Sequence, residues 1–142
     1  MTKHFNSLKI YCDGGSRGNP GPAAAGAVFC DSDGQVVGEF HQYLGVATNN
    51  VAEYTAVLLA INELKNYSVT GPINFYLDSE LVVRQLSGNY KVKNETLKPL
   101  HAQIQAWVTN PDRKVTFTHV LRANNTLADA QVNICLDEIA DQ

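Results

Sequence analysis

Four acidic residues stand where a carboxylate can do chemistry: Asp13, Glu53, Asp78 and Asp129. Asp13 closes an alternating apolar run, NSLKIYCD at 6–13, and Asp78 closes a second, INFYLD at 73–78. Glu53 and Asp129 fall in the first turns of two segments with helical spacing, which begin near Asn50 and Thr126. Strand ends and helix starts can share one edge of an open α/β sheet, the edge where ligands bind. Taken singly, each acid also has a plain structural reading. Asn50-x-x-Glu53 and Thr126-x-x-Asp129 fit capping boxes, Asp78 fits a cap for a helix starting at Ser79, and Asp13 fits a brace for the glycine turn that follows. Taken together, four carboxylates at one edge repel, and no cap needs the other three. Carboxylates that gather without arginine partners need cations, and oxygen-only ligation suits Mg²⁺ or Mn²⁺ rather than zinc. Two such ions about 3.5–4 Å apart clamp the attacking and leaving oxygens of a phosphodiester, one activating water and the other stabilising the departing 3′-oxygen. The expected chemistry is in-line hydrolysis without a covalent enzyme intermediate.

The elements that must position these acids follow from periodicity. Residues 6–13 alternate Leu8, Ile10 and Cys12 against Lys9, Tyr11 and Asp13, which predicts a half-buried strand. A turn-rich loop, GGSRGNPGP at 14–22, precedes a second strand at 23–31, and SDG at 32–34 marks a hairpin into a third at 35–44. From Asn50 the period changes, and VAEYTAVLLAINELKNY predicts a buried helix. Gly71-Pro72 breaks the chain before a strand at 73–78 and a short helix at 79–88 that ends on Gly88. A helix at 95–108 carries Pro99 near its first turn, 114–120 is a fifth strand, and the tail from Thr126 is a final helix. The order β-β-β-α-β-α-α-β-α implies an α/β domain spanning 1–142. Its mixed five-stranded sheet has an antiparallel meander first, a parallel pair last, and helices on its faces.

Composition sets the outer limits. The chain has 142 residues, enough for one domain with a real core, and is 44% hydrophobic and 18% charged. No apolar run approaches the roughly 20 residues needed to span a bilayer, and the start MTKHFNSLKI lacks the apolar core of a secretory signal. Cys12, Cys30 and Cys135 are odd in number and form no CxxC pair, which reads as buried reduced thiols in a cytoplasmic protein. The four histidines are scattered, without zinc spacing. The net charge of −3 argues against a nucleic-acid partner. Setting the four candidate ligands aside, however, leaves ten acids against 11 bases. Arg84, Lys91, Lys93 and Lys98 share a fifteen-residue stretch with one acid, Glu95, and form either a solvated surface or a polyanion-facing one.

The segments YCDGGSRGNPGP, TNNVAEY, YLDSELVVRQL, YKVKNETLKPL and HVLRANNTLADA resemble type 1 ribonuclease H, in the archaeal and bacterial variety without a basic protrusion. The resemblance runs over about residues 8–135, with five segments in the family's order. It implies the ribonuclease H-like fold, with strands in the order 3-2-1-4-5. It implies an endonuclease that cuts the RNA strand of an RNA–DNA hybrid and leaves 5′-phosphate and 3′-hydroxyl ends. It places two Mg²⁺ ions, or Mn²⁺, on Asp13, Glu53, Asp78 and Asp129 once substrate is bound. Carried over position by position, the RNA-contacting loop falls on Gly14, Gly15, Ser16 and Asn19, and the hybrid-gripping turn on Thr48, Asn49 and Asn50. Ser79, Arg84, Lys91 and Lys93 join the expected substrate surface. Arg122 stands in the loop where many relatives carry a catalytic histidine, and His119, inside a strand, reads as structural. Leu121 and Ala123 depart from the family's usual proline and charged residue, which bears on loop geometry. The competing readings are a catalytically silent nucleic-acid-binding module of the same fold and a nuclease acting on DNA junctions or ends. A nucleotide-binding glycine loop is disfavoured, because no GK[ST] or GxGxxG is present and a strand follows.

Overall fold

The computed structural model describes residues 3–142. In chain order the strands and helices are β1 (Lys3–Phe5), β2 (Leu8–Ser16), β3 (Gly21–Cys30), β4 (Val36–Ala47), α1 (Asn49–Glu63), β5 (Tyr67–Val69), β6 (Ile73–Leu77), α2 (Glu80–Leu86), α3 (Leu97–Val108), β7 (Val115–His119) and α4 (Thr126–Ala140). Single 3₁₀ turns fill Leu64–Asn66 and Arg122–Asn124. Five strands form the main sheet in the order β4-β3-β2-β6-β7. The β2/β3 and β3/β4 pairs are antiparallel, and the β2/β6 and β6/β7 pairs are parallel. This is the expected 3-2-1-4-5 order and strand sense.

The alternation of β2 decides which side is buried. Leu8, Ile10 and Cys12 are fully buried and join Phe75 and Leu77 of β6 and Tyr54, Val57 and Ala60 of α1 in the main core. On the other face α4 lays Val132, Cys135 and Leu136 against Ala24 of β3 in a smaller cluster. Gly26 makes that approach possible, since a Cβ there would lie 2.8 Å from the Ala128 carbonyl oxygen. All three cysteines are buried and free. No helix among the described residues is long and apolar enough to cross a membrane.

Several expected boundaries move. Gly14, Gly15 and Ser16, read as loop, extend β2 and pair with Ala25, Ala24 and Ala23. Glycine's poor strand propensity is overridden by that ladder. β4 runs on to Ala47 past Gly45, whose φ of +75° belongs to a residue without a side chain. The helix expected to run through Tyr67 stops at Glu63. Tyr67 instead starts β5, which pairs in parallel with β1 in a separate two-stranded ribbon. Its ring meets Phe29 edge-on at 5.0 Å, and its hydroxyl donates to the Val37 carbonyl at 3.1 Å. Those tertiary contacts outweigh helix periodicity.

Candidate active site

The capping explanations for Glu53, Asp78 and Asp129 do not hold. Thr48, not Asn50, caps α1 by accepting from the Val51 amide, which leaves the Glu53 carboxylate outside any capping box. Ser79 itself caps α2, accepting from the Val82 amide. Asn125 precedes α4 without a side-chain cap, so Asp129 has no capping-box partner. Asp13 does brace its neighbour, accepting from the Gly14 amide at 3.0 Å.

The acids meet because β2 touches α1 without side chains between them. A Cβ on Gly14 would run into the Ala52 carbonyl and the Glu53 amide, so only glycine lets the end of β2 lie against the first turn of α1. That contact sets Glu53 beside Asp13. Asp78 follows the parallel neighbour β6, and oxygens of Asp13, Glu53 and Asp78 lie within 4.8 Å of one another. Asp13 and Glu53 are buried, and Glu53 Oε2 has no hydrogen-bond partner. Burial first, then the charges of Asp78 and Asp129, pushes the Asp13 carboxyl up to about 7. Burial, then Asp13 and Asp78, likewise raises Glu53 well above the ordinary carboxylate range. Crowded acids that lack cationic partners bind protons or metal ions. Oxygen donors with an orphaned buried oxygen among them fit a hard divalent cation.

Asp129 lies outside this trio and lines the same cavity from α4, where Asn133, one turn later, donates to it at 3.3 Å. A buried asparagine sets the start of that helix. Asn125 Nδ2 donates to the Cys12 carbonyl at 2.9 Å, tying the first turn of α4 to the strand that carries Asp13.

A cavity of about 390 Å³ encloses these groups. Asp13, Glu53, Asp78 and Asp129 line it, with Gly14, Gly15, Ser16, Asn49, Asn50, Ser79 and Arg122 among the residues expected from sequence. The glycine segment and the TNN turn are interlocked. The Ser16 amide donates to Asn49 Oδ1 at 2.9 Å, and the Asn49 amide donates to Asn19 Oδ1 at 3.1 Å. Asn19 and Thr48 line an adjoining polar cavity, joined there by Asn94 and Thr96. The remaining expected residues stand apart from both. Arg84 is paired with Glu80 at 2.9 Å and lies over the Tyr90 ring, while Lys91 and Lys93 are exposed between α2 and α3. His119 ends β7, exposed and outside the cavity lining, whereas Arg122 in the following 3₁₀ turn lines it.

Sequence reasoning missed Arg17, Asn94, Thr96, Asn125 and Asn133. Asn133 had a usable signal, its i+4 spacing from Asp129. Asn94 turns its side chain onto its own loop, accepting from the Thr96 amide at 2.8 Å, and no spacing rule announces that.

A family model described as reverse transcriptase-like matches residues 11–135. The chain is 40% identical over 131 residues to ribonuclease HI of Halobacterium salinarum, covering 92% of this chain and 65% of that protein. It is 31% identical to ribonuclease H of Ruthia magnifica subsp. Calyptogena magnifica, covering 96% of this chain and 99% of that one. The crystal structure of LC11-RNase H1 in complex with an RNA/DNA hybrid superposes with a TM-score of 0.87 at 40% identity, covering 94% of this chain and 99% of that chain. The chain spans 36% of the length of the mycobacterial relatives it matches. A matched sheet order, an acid cluster at the sheet's carboxyl edge and identity across nearly the whole of a relative converge, and the chain belongs to the type 1 ribonuclease H family.

Proposed function

We propose that this protein is an endoribonuclease that hydrolyses the RNA strand of RNA–DNA hybrids, leaving 5′-phosphate and 3′-hydroxyl ends. The observation that carries the reading is the trio Asp13, Glu53 and Asp78, whose oxygens lie within 4.8 Å and include a buried oxygen without a partner. The hybrid bound by LC11-RNase H1 supports the choice of substrate. Asp13, Glu53, Asp78 and Asp129 would hold Mg²⁺, or alternatively Mn²⁺, with two ions per site when substrate is bound. Such ions supply a nucleophile at neutral pH and neutralise charge on the leaving oxygen.

The chain's own groups do the rest. RNA differs from DNA by a 2′-hydroxyl that both donates and accepts. The backbone of Gly14 and Gly15 lies at the cavity wall with Ser16, Asn49 and Asn50, where amide and carbonyl groups meet a hydroxyl in the wide minor groove. Asn49 stays oriented because its side chain and main chain are both bonded, to Ser16 and Asn19. Asn19 of the RNA-contacting loop and Thr48 of the hybrid-gripping turn line the adjoining polar cavity at the start of α1, where a helix N-terminus would favour a backbone phosphate of the hybrid. Ser79 fixes the α2 start next to Asp78, and Arg122 offers a fixed positive charge to the product phosphate. Arg84, Lys91 and Lys93 form an outer basic rim. Three reduced thiols suit the cytoplasm.

The deciding assay uses a 5′-labelled RNA–DNA hybrid with Mg²⁺, an EDTA control and an Asp78→Asn variant. We expect internal cuts confined to the RNA strand, lost in EDTA and reduced at least about 100-fold in the variant, as for removal of a transition-state contact. Retained hybrid binding without cuts in Mg²⁺ or Mn²⁺ would make the protein a silent binding module, and cutting of DNA duplex would replace the substrate.

A further inference from the structure

We infer that Arg17 binds a backbone phosphate of the hybrid at the edge of the acid cavity, and that Asp137 occupies its guanidinium until the hybrid arrives. This rests on the reading of the site as a hybrid nuclease. Among the described residues, the cavity that holds the four acids is lined by two basic side chains, Arg122 and Arg17. Arg122 makes no ion pair among the described residues, whereas Arg17 Nη2 donates to Asp137 Oδ1 at 2.6 Å.

Asp137 lies eight residues beyond Asp129 on α4, about 12 Å along the helix axis. A guanidinium paired there stands toward the edge of the cavity, where it meets a backbone phosphate of the duplex and not the acid cluster itself. The Arg17 backbone is fixed by its amide donating to the Pro22 carbonyl at 2.8 Å, so the side chain alone needs to move. The pair is exposed, 44% for Arg17 and 65% for Asp137, and an exposed ion pair contributes little, so a phosphate can displace the carboxylate cheaply. The planar guanidinium fork gives a phosphate two parallel hydrogen bonds, where a carboxylate reached through one nitrogen gives one.

The rival role is a clamp between the glycine loop and α4, in which both partners serve one structural bond. The two roles predict opposite signs at Asp137. The test measures hybrid Kd by fluorescence anisotropy, with every variant carrying Asp78→Asn to prevent cutting and thermal melts confirming folding. Arg17→Ala should weaken binding about fivefold and lower the slope of log K against log salt by about 1. Asp137→Asn should tighten binding about twofold by freeing the guanidinium, and this gain should vanish when Arg17→Ala is also present. Asp112→Asn, which removes an exposed acid from the turn before β7, controls for net charge. Weakening by both Arg17→Ala and Asp137→Asn would assign the clamp role and overturn the inference. So would a gain from Asp137→Asn that Asp112→Asn reproduces or that survives without Arg17. If the parent protein does not bind hybrid, the nuclease reading itself fails. If it binds hybrid and Arg17→Ala changes nothing, only the role of Arg17 is lost.

Discussion

Asp13 is a buried carboxylate facing two others, with its titration raised from 3.8 up to about 7. A carboxyl whose folded value is raised binds its proton more tightly in the folded chain. Its stabilising contribution is therefore full below about pH 4 and is lost as pH rises through about 7. Glu53 shifts in the same direction and adds to the effect. In EDTA the melting temperature should be about 5 °C lower at pH 8 than at pH 5.5, on the scale of one to two kcal/mol for a domain of this size. Adding Mg²⁺ at pH 8 should restore it, and Asp13→Asn should reduce the dependence, leaving the part that burial of Glu53 supplies, while abolishing cleavage. A flat melting temperature in EDTA across that range would falsify the electrostatic account of the cluster. The residue types of the site were legible because strand ends and helix starts could be located. The burial that sharpens their chemistry was not, because it depends on which elements cover them.

Among the elements, the contact between β2 and α1 matters most. Gly14 lies against the Ala52 carbonyl, a close approach that no side chain can share. Gly14→Ala should cost about 3 kcal/mol or more, since backbone rather than a flexible side chain must give way, and should part Asp13 from Glu53. Gly34→Ala is the matched comparison. Its Cβ would meet nothing within 4 Å, so it carries only the penalty of a φ of +83°, about 1 kcal/mol. Urea denaturation of both variants checks the order, and equal losses would refute the packing argument. The strands and helices long enough for a period were legible in the sequence. The β1/β5 ribbon was not, because strands of three residues carry no alternation to read. Its pairing is set by the Tyr67 ring finding Phe5 and Phe29. The caps were misassigned for a related reason: Thr48, Asn49 and Asn50 all suit an N-cap, and the choice falls to backbone conformation at Thr48.

At the scale of the whole molecule, charge is distributed against the overall balance. A chain of net −3 presents Lys91 and Lys93 exposed on the connection between α2 and α3, away from the acid cavity. Replacing both with alanine should raise the Michaelis constant for hybrid about threefold and lower the salt slope by at most about 2, one unit per lost phosphate contact. Steady-state kinetics at several salt concentrations will show it, and an unchanged Michaelis constant would return those lysines to the role of a solvated surface. That the segment was basic could be read directly. That Arg84 pairs with Glu80 follows the i,i+4 spacing, whereas the Tyr90 ring beneath its guanidinium could not be read, since it comes from the loop that follows the helix.

The bond from Asn125 to the Cys12 carbonyl spans 113 residues and ties the first strand of the acid cavity to its last helix. A ribosome that has made residues up to the end of β7 has already supplied Asp13, Glu53 and Asp78, but neither Asp129 nor the asparagine that anchors its helix. Closing so long a loop is entropically costly and slow compared with forming the meander. The acid cavity therefore stays incomplete until α4 has been translated and has packed against Gly26.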